Sequence, residues 1–105
     1  MMKSSRSKVV LAAAFAAAGA MCFAQAGEAI YKAKCQSCHG ATGTPNPAIA
    51  KMLGVKPASD PSVKGLSEAQ MAAVVKDGKG KMKPVAGLSD AQIREAVAYF
   101  RALGK

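Results

Sequence analysis

The sequence predicts an all-α domain of about four short helices, wrapped around a centre that the polypeptide cannot fill by itself. Three observations lead there. Two segments open with the same helix-start signal. The stretches between apolar segments are rich in Gly and Pro, and no run alternates as a strand would. The aromatic content is only 5%, with no Trp at all, which is little bulk for a core. Chains this short bury a small fraction of their surface and usually lean on a staple, a metal or a cofactor.

The N-terminus is set aside first. Lys3, Arg6 and Lys8 precede an uncharged, alanine-rich run from Val9 to Ala24. That run is shorter than the roughly 20 residues that cross a bilayer comfortably. It ends in Ala24-Gln25-Ala26, the small-x-small pattern that signal peptidase accepts. Residues 1–26 are expected to be a signal peptide cleaved after Ala26, leaving one domain over residues 27–105 in the periplasm. Cys22 follows Met21, which is too large for the usual lipobox, so it is expected to leave with the leader. No stable membrane insertion is expected after cleavage.

The helices follow in order. Gly27 to Lys34 offers a first helix whose apolar members are Ile30 and Tyr31. Gly40, Gly43, Pro45, Asn46 and Pro47 make the next stretch turn-forming. Ala48 to Leu53 reads as a short helix ended by Gly54, with Met52 as core filling beside Leu53. Pro57 to Pro61 reads as loop. Then Gly65-Leu66-Ser67-Glu68-Ala69-Gln70-Met71 is echoed by Gly87-Leu88-Ser89-Asp90-Ala91-Gln92-Ile93. In each copy Ser precedes Gln by three residues, a capping box in which two orphan backbone groups are satisfied reciprocally. Glu68 and Asp90 fall in first turns, where the helix dipole favours negative charge. The first of these helices should end at Gly78 with Leu66, Met71, Val74 and Val75 inward. The second should run to about Leu103, with Ile93, Val97, Phe100 and Leu103 at spacings of three and four.

The chemistry sits in Cys35-Gln36-Ser37-Cys38-His39, a C-x-x-C-H sequence and the attachment signature of c-type haem. Two thiols separated by two residues can each add across one of the two haem vinyl groups. The next residue then arrives under the iron with an imidazole nitrogen. The rivals fare worse. A thioredoxin-like C-x-x-C expects alternating strands and helices around it, and none appear. A zinc site wants about four ligands, whereas the exported domain has no Cys or His beyond these three. A plain disulfide explains neither the His nor the export signal, and bacterial attachment of haem c happens outside the cytoplasm. One covalent haem c per chain is expected, held through Cys35 and Cys38, with His39 as proximal iron ligand.

The sixth ligand is sought among Met52, Met71 and Met82. Met71 lies on an apolar helix face, where Met usually fills core, and Met52 has the same explanation. Met82 sits in Gly78-Lys79-Gly80-Lys81-Met82-Lys83-Pro84, with no apolar neighbour. It is the candidate distal ligand, and a thioether there raises the potential relative to two histidines.

With these residues in hand, the chain resembles the class I cytochromes c over essentially all of residues 27–105. The resemblance rests on Gly27-x-x-x-Tyr31 ahead of the haem motif, on the Met82 loop, and on Ala98-Tyr99-Phe100-Arg101-x-Leu103 in the last helix. The haem motif lies near the N-terminus of the domain, unlike cytochromes of the c′ type. The resemblance implies the cytochrome c fold, with first and last helices crossing at Gly27 and with Tyr31 near Val97, Tyr99 or Phe100. It also implies a loop proline whose carbonyl orients His39, mapped to Pro47 with Pro45 as a rival. The family often has Met-Pro, whereas Lys83 stands between Met82 and Pro84 here.

A haem iron ligated by His and Met has no open position, so the expected function is one-electron transfer and not catalysis. The whole chain has a formal charge of +9, and losing the three basic leader residues leaves about +6. Lys76, Lys79, Lys81 and Lys83 surround the Met82 loop, and Lys32, Lys34, Lys51 and Lys56 extend the basic surface. Any one of them is an ordinary solvated side chain; as a cluster they suit docking onto acidic redox partners. No nucleic-acid recognition motif accompanies the charge. Two other functions stay open: a haem sensor or peroxidase-like protein with an open iron, and a redox subunit of a larger oxidoreductase complex.

Overall fold

A computed structural model describes residues 26–105; the expected leader and its apolar run lie outside the described residues, save Ala26. Residues 26–34 are helical (α1) and lead through a turn at Cys35 into α2, Gln36–His39. Then come α3, Pro47–Leu53, and α4, Pro61–Lys64. The two long helices follow, α5, Glu68–Asp77, and α6, Asp90–Leu103. Among the described residues there is one isolated antiparallel bridge, Lys79 to Met82, and no strand. The all-α expectation holds, with six helical segments in place of about four because α2 and α4 are single turns.

Both capping boxes form. Ser67 Oγ accepts the Gln70 N–H at 3.1 Å while Gln70 Oε1 accepts the Ser67 N–H at 2.8 Å. Ser89 and Gln92 repeat this at 3.1 and 2.8 Å. The short helix α4 starts at Pro61, where the expected loop from Pro57 to Pro61 ends, and its signal is local. Pro61 occupies the first helical position and Asp60 caps it, its Oδ1 accepting the Ser62 N–H at 2.9 Å.

Helices α5 and α6 pack as an antiparallel hairpin around Met71, Ile93 and Val97, with Leu66, Val75, Leu88 and Phe100 partly buried against them. Exposed ion pairs mark its two ends, Arg101 with Glu68 and Lys76 with Asp90, both at 3.7 Å. Pairs this open contribute at most a few tenths of a kcal/mol to about 1 kcal/mol. The connection between the two helices is the loop that carries Met82.

Helix α1 crosses α6 at Gly27. A Cβ built there would lie 2.6 Å from the Glu95 carbonyl oxygen and 3.5 Å from Tyr99 Cβ, so the missing side chain sets how closely the helices approach. One turn later Tyr31, 1% exposed, packs its ring against Tyr99 and Phe100, with centroids 5.2 and 6.1 Å apart. The crossing expected of first and last helices is therefore present, with Glu95 as the backbone it meets. Among the described residues, no helix is long and apolar enough to cross a membrane.

Candidate haem site

The C-x-x-C-H segment is held by helical hydrogen bonds that run through the turn at Cys35. The Cys35 N–H donates to the Tyr31 carbonyl at 2.9 Å, and the His39 N–H donates to the Cys35 carbonyl at 3.0 Å. Positions i, i+3 and i+4 share one side of a helix. Cys35, Cys38 and His39 occupy those positions and are all half-buried, while Ser37 between them is exposed. Both cysteines are free thiols. Burial pushes the Cys35 thiol up from its ordinary pKa. Burial also lowers the His39 pKa, which keeps the imidazole neutral, with a nitrogen lone pair free for a metal.

Three features suit this side to a flat apolar group with a metal at its centre. Among the described residues no three His, Cys, Asp or Glu side chains converge on one ion, so the two thiols and the imidazole do not form a compact metal cage. They are instead spread along a face, as attachment to the rim and the centre of a macrocycle requires. His39 Nδ1 is buried with no hydrogen-bond partner, a cost of about 1–3 kcal/mol for a ring nitrogen left so. Metal-bound imidazoles are ordinarily fixed by an acceptor on their second nitrogen. Finally, the apolar surroundings are incomplete. Phe100 meets the His39 ring edge-on at 5.1 Å. Among the described residues six hydrophobic side chains are buried, whereas Val63, Leu66, Val75, Leu88 and Phe100 keep part of their surface open. The residues present fit a haem.

The loop after His39 folds back tightly. Gly40, at φ +81°, brings the Thr44 carbonyl so close that a Cβ there would overlap it, with the Pro45 nitrogen 3.4 Å from the same point. Tyr31 Oη donates to the Gly40 carbonyl at 2.5 Å, tying α1 to the residue after His39. Pro45 is buried beside this turn. Pro47 is exposed and serves as the first residue of α3, where Asn46 Oδ1 caps by accepting the Ala48 N–H at 2.8 Å. Of the two prolines, the one packed against the Gly40 turn is Pro45.

Met82 is half-buried in the α5–α6 connection. Its loop closes on itself through the Lys79 N–H to the Met82 carbonyl at 2.9 Å and the Met82 N–H to the Lys79 carbonyl at 3.0 Å. The Val85 N–H returns the chain to α5 by donating to the Val75 carbonyl at 2.9 Å. Met71 is 7% exposed inside the α5–α6 cluster. Met52 corrects the expectation of core filling: it is 62% exposed at the end of α3. What sequence reasoning missed is the neighbour of Met82. Lys81 Nζ donates to the Met52 carbonyl at 2.9 Å, across 29 residues. No sequence signal announces a bond between a lysine and a distant backbone oxygen.

A helical domain that presents C-x-x-C-H on one face against a half-open apolar wall is a small c-type cytochrome. The chain belongs to the family described as cytochrome C oxidase, cbb3-type, subunit III, whose model matches residues 23–100. Among solved structures it is similar in fold to one named "KustC0563 c-type cytochrome", with 23% sequence identity and a TM-score of 0.66. That likeness covers 75% of this chain and 98% of the other. No curated protein matches the chain. Membership places the protein among haem-based electron-transfer proteins with redox partners.

Proposed function

We propose that the protein is a periplasmic one-electron carrier with a single haem c, bound through thioethers from Cys35 and Cys38 and ligated by His39 and Met82. The observation that carries this is the common face of Cys35, Cys38 and His39, with the buried, unpartnered Nδ1 of His39 behind it. When bound, the haem supplies an iron that alternates between Fe(II) and Fe(III). The side chains of this chain do the rest. His39 gives the iron a neutral nitrogen, and Nδ1 needs an acceptor to hold the ring in place. A carbonyl of the loop after His39 would take that role, and the candidates are Pro47, which is exposed, and Pro45, which is buried against the Gly40 turn. Met82 would hold the iron of a bound haem from a second side, which would leave substrate and oxygen no site. Phe100 and the α5–α6 cluster keep water off one side of the group.

Exposed Lys76, Lys79, Lys81 and Lys83 crowd the Met82 loop and favour partners with acidic docking surfaces. Encounters of this kind are small, below about 1,200 Å², and short-lived.

The test is the visible absorption spectrum of the exported protein, oxidised and then reduced. Sharp reduced bands of covalent haem c, with the weak long-wavelength Met-to-iron band when oxidised, are expected. Haem bands without the Met feature, together with ready binding of carbon monoxide, would shift the function to an open-iron sensor or peroxidase-like protein. No haem in a strain able to attach it would end the proposal. A second reading is favoured by the family description: the chain works as a resident redox subunit of a larger oxidoreductase. Co-purification of other chains after gentle extraction distinguishes that from a free shuttle.

A further inference from the structure

The loop that carries Met82 has little to hold it in place. Between Gly78 and Pro84 every residue except Gly78 and Met82 is exposed, so almost no apolar burial anchors it. Its backbone is closed on itself by the two Lys79–Met82 bonds, and the Val85 N–H joins it to α5. On the other side, towards α3, stands the bond from Lys81 Nζ to the Met52 carbonyl at 2.9 Å.

The acceptor is well suited to a cation. The last carbonyls of a helix have no intrahelical partners and carry the negative end of its dipole. In α3 the Ala50 carbonyl is used by the Gly54 N–H at 2.9 Å, and the Met52 carbonyl takes the lysine instead. Helix α3 begins two residues after buried Pro45, beside the turn that follows His39. Its last turn holds Met52, whose carbonyl Lys81 grips. One short helix thus spans from the His39 side of the site to the Met82 side.

We propose that Lys81 is a positioning residue for Met82: its bond to the end of α3 straps the loop so that the thioether stays on the iron. This rests on Met82 being the distal ligand. The strap acts through the backbone of Met52, so the exposed Met52 side chain plays no part in it. It also acts through one particular ammonium group, not through the general positive charge of the loop.

The experiment uses the oxidised holoprotein and free imidazole as the competing ligand. Three readouts are taken: the imidazole dissociation constant, the Met-to-iron band, and hydrogen exchange at the Met82 amide. Lys81→Ala should bind imidazole about fivefold more tightly, the size expected from one charge-assisted hydrogen bond near a surface. Its Met82 amide should exchange faster by a similar factor. Lys81→Arg, which keeps a donor of sufficient reach, should restore values near wild type. Met52→Ala keeps the carbonyl and should leave all three readouts unchanged. So should Lys83→Ala, which removes the same charge one residue beyond Met82. If Lys81→Ala matches Lys83→Ala while Met82→Ala abolishes the band, the strap is wrong and the ligand stands. If the band survives Met82→Ala, the ligand assignment falls and the strap falls with it.

Discussion

The rings of His39 and Phe100 lie edge-on, with centroids 5.1 Å apart and planes inclined by 67°. Phe100 also stacks on Tyr31, so one side chain of the last helix braces both the candidate iron ligand and the first helix. Full removal of a buried Phe costs about 3–5 kcal/mol. Phe100 keeps part of its surface open, so Phe100→Ala should cost nearer 2 kcal/mol, read from denaturant unfolding of the holoprotein. A loss within error of zero would mean that the bracing contacts do not matter.

Gly27→Ala tests the helix crossing. The new methyl would meet the Glu95 carbonyl oxygen at 2.6 Å, a backbone atom that cannot turn aside. Forcing the helices apart should cost about 1–3 kcal/mol, even though Ala is the better helix former. A variant more stable than wild type would show that α1 does not approach α6 this closely.

Tyr31 gives a pH signature. Its phenol is pushed up to about 12, first by burial and then by the charges of Cys35 and Tyr99. In the unfolded chain it titrates near 10. The unfolded state therefore releases this proton first, and the stability the phenol contributes is whole below pH 10 and lost as pH rises towards 12. Tyr31→Phe should flatten the fall of stability over that window, while removing the hydrogen bond to the Gly40 carbonyl at neutral pH. Urea midpoints measured from pH 7 upwards decide it, and parallel curves for both proteins would contradict the assignment.

The Ser89 cap is local: its bonds go to Gln92 alone, seven residues and more beyond Met82. Ser89→Ala should lower stability by about 1 kcal/mol and leave the reduction potential and the Met-to-iron band where they were. A shifted potential would mean that the N-terminus of α6 reports on the Met82 loop.

Docking through lysines predicts a salt effect. The second-order rate of electron transfer with an acidic partner should fall steadily as ionic strength rises, since screening shortens to about 8 Å at physiological salt. Lys79→Glu and Lys83→Glu should each slow the low-salt rate. Rates indifferent to salt would remove electrostatic steering.

Much of this protein was legible along the chain because its signals are local. A capping box needs four residues, and Ser67-x-x-Gln70 and Ser89-x-x-Gln92 formed as read. The haem motif needs five, and its i, i+3, i+4 spacing puts Cys35, Cys38 and His39 on one face of any helix they occupy. Even α4, which begins where the expected loop ends, has a local Asp60-Pro61 start.

Tertiary structure alone decided the rest, because those relationships join residues that the chain keeps far apart. Which proline packs against the turn after His39 depends on how Gly40 folds the chain back, and it is Pro45, while Pro47 is exposed at the start of α3. Whether Met52 is core or surface depends on which way α3 faces, and the helix is too short for its apolar periodicity to tell. That Lys81 reaches the Met52 carbonyl depends on two loops meeting in space. Backbone acceptors look alike at every position in a sequence, so only the fold could single one out.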